Sequence, residues 1–315
     1  MASTLQKLVN GLAIGGVYAM FAVGYTLVFS VLRIVNLAHG ALFSLGAYLT
    51  YFLAGGAVGV NGVWADTILS PVALPFWIAL VASGLLSGVV GVGIDRVAFR
   101  PLRRRGADPL LALVSSLGVA LVVTNVIQYL VGADPYSFGG DVLGGLPTRL
   151  TAQVGGGEIR IRTIQVVIFA ISAAMVLVLS AVIRHTRIGK ALQAVAEDPL
   201  TARLLGIDPE RLVTLTFFLS GMLGGVAGTL VGVSVSIAGP FFGSAFGLKG
   251  LAVIVLGGLG DIRGTVVGGV LIGLAEAFVP AGAIAYKEGV AFFVLFAVLV
   301  VRPEGLLTRR VAVKV

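Results

Sequence analysis

The sequence contains no cysteine, only two histidines, and few charges for its length: Lys, Arg, Asp and Glu make up 11% of 315 residues. Without cysteine there is no disulfide framework, no thiol nucleophile and no Cys-based metal site. His39 and His185 are far apart and carry no metal-type spacing. No G-x-x-x-x-G-K-[ST] run occurs, so the chain binds no ATP through a P-loop. GGLGDIRG at 257–264 is superficially like a nucleotide loop, but its glycine spacing is wrong and no βαβ pattern surrounds it. It reads as a turn between apolar segments. The scarcity of charge excludes most. Soluble domains carry roughly 25% charged residues, and this chain has too few polar side chains to coat a water-facing globule.

Apolar runs take their place. The composition is 58% hydrophobic with 45 glycines, and the mean hydropathy is +1.06. A spanning helix needs about 20 mostly apolar residues. That rule predicts segments near 8–31, 36–56, 72–94, 109–131, 164–183, 212–236, 244–260, 264–284 and 288–301. The seventh reads as interrupted by glycine and Lys249, and the last is short. The expected fold class is therefore all-α: a polytopic membrane protein, a Gly-rich bundle of eight or nine transmembrane helices forming one domain over 1–315. Small residues let helix backbones approach closely in lipid, so GMLGGVAGTLVG (221–232) and GTVVGGVLIG (264–273) predict tight packing. The first segment reads as a retained span, because no small-residue cleavage site follows a short apolar core.

The net charge of +8 invites a nucleic-acid reading, but its distribution argues for topology. Fifteen of the 22 Lys and Arg lie at 95–108, 184–211 and 302–315 and at Arg263. Short basic loops mark the cytoplasmic side. This places 96–108, 184–211 and the C-terminus inside, and the Gly-rich stretch 132–163 outside. Within that outer loop, LTAQVGGGEIRIR alternates around Gly155–Gly157 and predicts a small hairpin. Parity puts the N-terminus outside if both of the first two segments span.

One polar stretch, AVAEDPLTARLLGIDPERL (194–212), contains Asp-Pro twice. Asp is a strong N-cap and Pro fits the first helical position. Asp198-Pro199 thus starts a short helix, and Gly206 is placed to end it in the left-handed conformation. Asp208-Pro209 starts the next helix, with Glu210 in its first turn where the dipole favours an anion. The apolar side of the short helix is expected at Leu200, Leu204 and Leu205, with Ala202 beside them. Such a segment is either a well-capped connection or a docking element.

At this point the residues resemble a known family. RIGKALQAVAEDPLTARLLGIDPERL (187–212) is similar to the cytoplasmic coupling loop of permease subunits of bacterial ABC importers for branched-chain amino acids, the LivH/LivM type. GGVYAMFAVGYTLVFSVLRIVNLAHGALFSLGAY (15–48) resembles the start of the LivH-like member, and GLKGLAVIVLGGLGDIRGTVVGGVLIGLAEAF (247–278) with LVVRPEGLL (299–307) its C-terminal third. The resemblance implies a transport subunit in a bacterial inner membrane that is not itself an enzyme and needs no cofactor. Its implied partners are a LivM-like second permease, two ABC ATPases and an external solute-binding protein. It also implies that Ala196, Glu197, Asp198, Pro199, Ala202, Arg203 and Gly206 couple the bundle to an ATPase. On this reading Ala202 keeps the docking face narrow and Gly206 sets the exit angle.

Ionisable groups at membrane depth are functional candidates by default. Glu276 is the deepest carboxylate, and it either belongs to the pathway or lies near the outer interface paired with Lys287. Asn36 and His39 either border the pathway or serve as a helix cap and a carbonyl partner. Lys249 is expected to snorkel to the headgroups, so no cluster of paired charges is expected in the spans. Two other readings fit the same chain: an ABC permease for urea, short amides or other amino acids, and an ion-coupled secondary transporter.

Overall fold

The computed structural model describes residues 2–58, 68–69, 73–139, 142–145, 147, 149–154 and 157–307. The chain is mostly helical. α1 (Ala2–Leu32), α2 (His39–Leu53) and α3 (Phe76–Ile94) are followed by a π turn at Asp95–Phe99 and by α4 (Arg100–Arg104). Then come α5 (Pro109–Val131), α6 (Thr163–His185), α7 (Arg187–Glu197), α8 (Pro199–Leu204) and α9 (Pro209–Val235). The last are α10 (Phe242–Gly257), α11 (Ile262–Ala277) and α12 (Lys287–Val301). Two strands, β1 (Ala57–Val58) and β2 (Ile68–Leu69), pair antiparallel. The predicted hairpin is present as β3 (Arg149–Val154) and β4 (Gly157–Arg162), in antiparallel register with Val154 opposite Gly157; Gly155 lies outside the described residues.

Each of the nine predicted apolar segments contains a helix, but their lengths differ. α1, α5, α6, α9 and the continuous Phe76–Arg104 run are long and apolar enough to cross a membrane. α2, α10, α11 and α12 have only 15 or 16 residues. At 1.5 Å per residue such helices reach about 24 Å, short of a hydrocarbon core of about 30 Å. The expected count of eight or nine full spans is therefore not reached among the described residues: five helices have the length to cross, and four apolar ones are shorter. α10 is also continuous: neither its glycines nor Lys249 interrupts it.

α1 runs through the centre. Its Phe21, Tyr25 and Met20 are almost wholly buried, and Phe43 of α2 and Leu230 of α9 belong to the same core. Close backbone approach makes this packing possible. A Cβ on Gly46 of α2 would run into the Gly225 backbone of α9, and one on Gly228 would run into the carbonyl of Phe43. Where association rests on contact and not on water exclusion, such seams hold helices together. Hydroxyls add a polar seam: Thr50 donates to Ser83 at 2.5 Å and lies 2.7 Å from Thr229, joining α2, α3 and α9.

The two ends of the bundle differ. At one end the ends of α1, α3 and α6, all of α4, α7 and α8, and the starts of α9 and α11 gather most of the arginines; we call this the basic end. At the other, Tyr136 bridges to Ile237 and its ring meets that of Tyr51 in a tilted contact at 5.2 Å.

Candidate functional site

The polar stretch folds at the basic end as three helices around two corners. Thr186 opens α7, its hydroxyl accepting the Gly189 N–H at 3.1 Å. α7 is amphipathic and buries Leu192 and Val195. It was not anticipated as a separate helix; Thr186 at an N-cap was the available signal. Asp198 then caps α8, accepting the Leu200 N–H at 2.8 Å and a hydrogen bond from the Thr201 hydroxyl. The Thr201 hydroxyl bond, followed by the backbone donors, lowers the Asp198 carboxyl below its ordinary value. Six residues later the helix ends as expected: Gly206 has φ +81°, its N–H donates to Arg203 C=O at 3.0 Å, and the Ile207 N–H donates to Ala202 C=O at 3.0 Å. These two bonds form a Schellman motif, which requires a left-handed residue and so favours glycine. Asp208 caps α9 by accepting the Glu210 N–H at 3.0 Å.

The faces of α8 fall differently from the expectation. Leu200, Leu204 and Leu205 are 68%, 81% and 74% exposed, whereas Ala202 is 1% exposed. Ala202 points into the protein, into a cluster with Leu192, Val213 and Phe217. It therefore sits on the anchoring side of α8, and the three leucines form the outward side. Ala196 and Glu197 lie elsewhere again, on the wall of a cavity beneath α7. Asp198, Pro199, Arg203 and Gly206 are exposed around the corner.

Glu210 has a second role beyond the helix dipole. Arg100 Nε approaches its carboxylate at 2.7 Å and Arg103 at 3.6 Å. Arg103 also pairs at 2.7 Å with Asp95, which is fully buried and accepts the Thr214 hydroxyl at 3.0 Å. The start of α9 is thus tied to the π turn and α4. Asp95 was missed in the sequence, although a carboxylate ending an apolar run ahead of five arginines was visible.

The three pathway candidates are not brought together. Asn36 Oδ1 accepts the Ala38 N–H at 3.2 Å, and its carbonyl accepts the His39 N–H at 3.1 Å, so it shapes the turn into α2. His39 is fully buried, with Nε2 3.0 Å from the Phe21 carbonyl and Nδ1 3.2 Å from Ser220 Oγ. The carbonyl can only accept, which assigns the proton to Nε2 and leaves Nδ1 to accept from Ser220. The ring also stacks on Phe21 at 4.4 Å, and a Cβ on Gly24 or Gly224 would press on it at 2.6 or 2.9 Å. Glu276 sits apart, 2% exposed. Its partner is Lys249 at 3.0 Å and not Lys287, and Tyr18 donates to its other oxygen at 2.8 Å. Lys249 therefore turns inward instead of snorkelling. A paired charge does lie among the helices, against the expectation that the spans hold none. Burying a single charge costs far more than burying a pair. Among the described residues no group of three His, Asp or Glu is arranged to hold a metal.

Similar proteins bear on this arrangement. The family model described as branched-chain amino acid transport system / permease component matches residues 7–299. The high-affinity branched-chain amino acid transport permease LivH of Salmonella typhimurium is 33% identical, over 97% of this chain and 96% of that protein. BraD of Pseudomonas aeruginosa is 34% identical with the same coverage. LivM of Escherichia coli is 26% identical, over 81% of this chain and 60% of that protein. A solved structure, PsaBC from Streptococcus pneumoniae in complex with Fab, covers 96% of this chain and 91% of that one at 14% identity and a TM-score of 0.44. The resemblance read from 15–48, 187–212 and 247–278 is borne out over nearly the whole length, and the chain belongs to the permease components of the branched-chain amino acid transport system.

Proposed function

We propose that this multi-pass membrane protein is the permease subunit of an ATP-driven ABC importer that translocates leucine, isoleucine and valine. In this reading it pairs with a LivM-like permease chain, two ABC ATPases hydrolyse the ATP, and an external binding protein delivers the solute. The basic end faces the cytoplasm, with 184–211 as the coupling loop and the C-terminus on the same side; 132–163 faces out. One observation carries the proposal: a six-residue helix, fixed by caps at both ends, holds Leu200, Leu204 and Leu205 in water with Ala202 as its anchor. Three adjacent exposed leucines on a rigid corner call for an apolar groove on another protein. The expected coupling contacts accordingly move to these leucines, with Asp198, Pro199, Arg203 and Gly206 setting the geometry. Ala196 and Glu197 contribute from behind.

The test is reconstitution with the second permease and the ATPases, comparing the native chain with Leu204→Glu. ATPase retention and leucine-stimulated ATP hydrolysis are expected to fall by tenfold or more, the scale of a buried hot-spot leucine. Unchanged retention, hydrolysis and uptake would sink the coupling role. Uptake of urea in place of leucine would keep the architecture and replace the solute.

The buried Lys249–Glu276 pair is the one feature that favours an ion-coupled transporter, since such proteins place ionisable groups inside the bundle. Solute accumulation by the chain alone in vesicles under an ion gradient would establish that reading instead.

A further inference from the structure

We propose that the cavity at the basic end is a binding site for a phosphate group, with Arg33, Arg184 and Arg263 as its ligands. The cavity holds about 690 Å³ between the ends of α1 and α6, α7 and the turn at 259–263. Each arginine comes from a different element: Arg33 follows α1, Arg184 ends α6 and Arg263 opens α11. Among the described residues none of the three has an ion-pair partner. All three are exposed, so solvent screens their mutual repulsion, but none is neutralised by a partner and an anion could meet all of them across the one void. The carboxylates on the wall do not cancel all three. Asp261 is engaged as the cap of α11, accepting the N–H groups of Arg263 and Gly264 at 2.8 and 3.3 Å. Glu197 is exposed like the arginines, and with Asp261 it leaves the wall one positive charge in excess.

Arg33 stops α1, its N–H donating to the Phe29 carbonyl at 2.8 Å. Its φ is +55°, one of two such non-glycine residues among those described. That left-handed conformation is a common way to end a helix. Here it turns the chain out of α1 directly at the cavity wall. Guanidinium groups match phosphate oxygens with two parallel hydrogen bonds, so arginine suits this ligand better than lysine would. The remaining wall is mixed: aliphatic side chains such as Leu27, Val31 and Ile183 stand beside the polar Ser30, Ser180 and Gln193. Basic pockets between membrane helices of this make-up hold the headgroups of anionic lipids. An anionic phospholipid would use both the arginines and the aliphatic side chains of the wall, and free phosphate would use the arginines alone. Ala196 and Glu197 share the wall, so an occupant bridges the bundle to the segment just before α8.

The experiment uses the full chain. Nanodiscs of phosphatidylcholine with or without phosphatidylglycerol are followed by native mass spectrometry to count retained phosphatidylglycerol. In parallel, thermal unfolding in detergent is titrated with sodium phosphate against sodium chloride at equal ionic strength. Retained phosphatidylglycerol, or a phosphate-specific rise in Tm, is the expected result. Arg33→Gln, Arg184→Gln and Arg263→Gln should each weaken that response about tenfold, the scale of one charge-assisted contact. Arg105→Gln, off the cavity at the end of α4, should leave it unchanged. Arg184→Lys, which keeps the charge, should retain part of the response and so exclude misfolding as the cause. A response to phosphatidylglycerol alone assigns a lipid; a response to phosphate alone assigns a free anion. No response to either, a response that none of the three variants weakens, or one reproduced only by leucine overturns the proposal.

Discussion

Lys249 and Glu276 meet at 3.0 Å between α10 and α11, with their side chains 9% and 1% exposed and Tyr18 holding the far carboxylate oxygen. The lysine also lies 5.8 Å from the Phe246 ring. Breaking a buried pair leaves one charge uncompensated, at a cost of about 3–5 kcal/mol, whereas replacing both partners by apolar groups is often nearly neutral. Glu276→Leu and Lys249→Met should therefore each lower Tm in detergent strongly. The double variant Lys249→Met/Glu276→Leu should recover most of the loss. Additive losses in the double variant would show that the two residues act separately.

The α2–α9 seam makes a sharper contrast. Gly46→Ala drives a Cβ into the Gly225 backbone, which cannot swing aside as a side chain can. Overpacking costs about 1–3 kcal/mol where neighbours adjust, and here the helices must separate, so expression of folded protein should drop. Gly118→Ala on α5 meets nothing within 4 Å. It should be neutral or stabilising by up to about 1 kcal/mol from helix propensity. Equal Tm values for the two variants would refute the close-approach account.

Asp198 allows a pH test with a defined sign. Its carboxyl is lowered in the folded chain by the Thr201 hydroxyl and the backbone donors. A depressed folded pKa adds stability that is complete above the unfolded value of about 3.9 and is lost as pH falls through the folded value. Protection factors for the Leu200 and Thr201 amides should thus be flat from neutral pH down through about 5 and should collapse only in stronger acid. Asp198→Asn keeps the cap and should abolish the acid transition. Asp198→Ala should lower protection at every pH.

How far the sequence reaches can be judged residue by residue. Asp198, Gly206 and Asp208 took their structural roles because capping is local: each acts on amides two to five residues away. The hairpin around Gly155–Gly157 was legible for the same reason. Ala202 and Lys249 were misjudged because orientation is not local. Six residues of α8 are too few to establish a hydrophobic period, so the helix's inner side is decided by Phe217 and Val213 from α9. Lys249 faces inward because Glu276, 27 residues away, and Tyr18, 231 residues away, meet it there. Hydropathy counts composition along a segment and carries no information about such partners.

The tie between α4 and α9 gives the last prediction. Glu210 and the two arginines are partly exposed, at 24%, 33% and 20%, so solvent screens the Arg100–Glu210 pair. Its coupling energy in a double-mutant cycle should be small, about 0.2–1 kcal/mol. Asp95 is different because it is fully buried and receives both Arg103 and Thr214. Asp95→Ala removes the buried carboxylate on that guanidinium, leaving it only the looser contact with Glu210 at 3.6 Å, and should cost up to about 3 kcal/mol. The measurement is Tm for the single and double variants, together with hydrogen exchange across α8. If α8 is held through this frame, Asp95→Ala should loosen its amides while leaving those of α11 unchanged. Charge reversal offers a further check: Arg100→Glu with Glu210→Arg sets the new arginine beside Arg103 and at the positive end of the α9 dipole, so it should recover only part of the α8 protection that either single reversal loses. Loss of protection in the reversed pair as large as in the singles would mean that α8 is positioned by Ala202 packing alone.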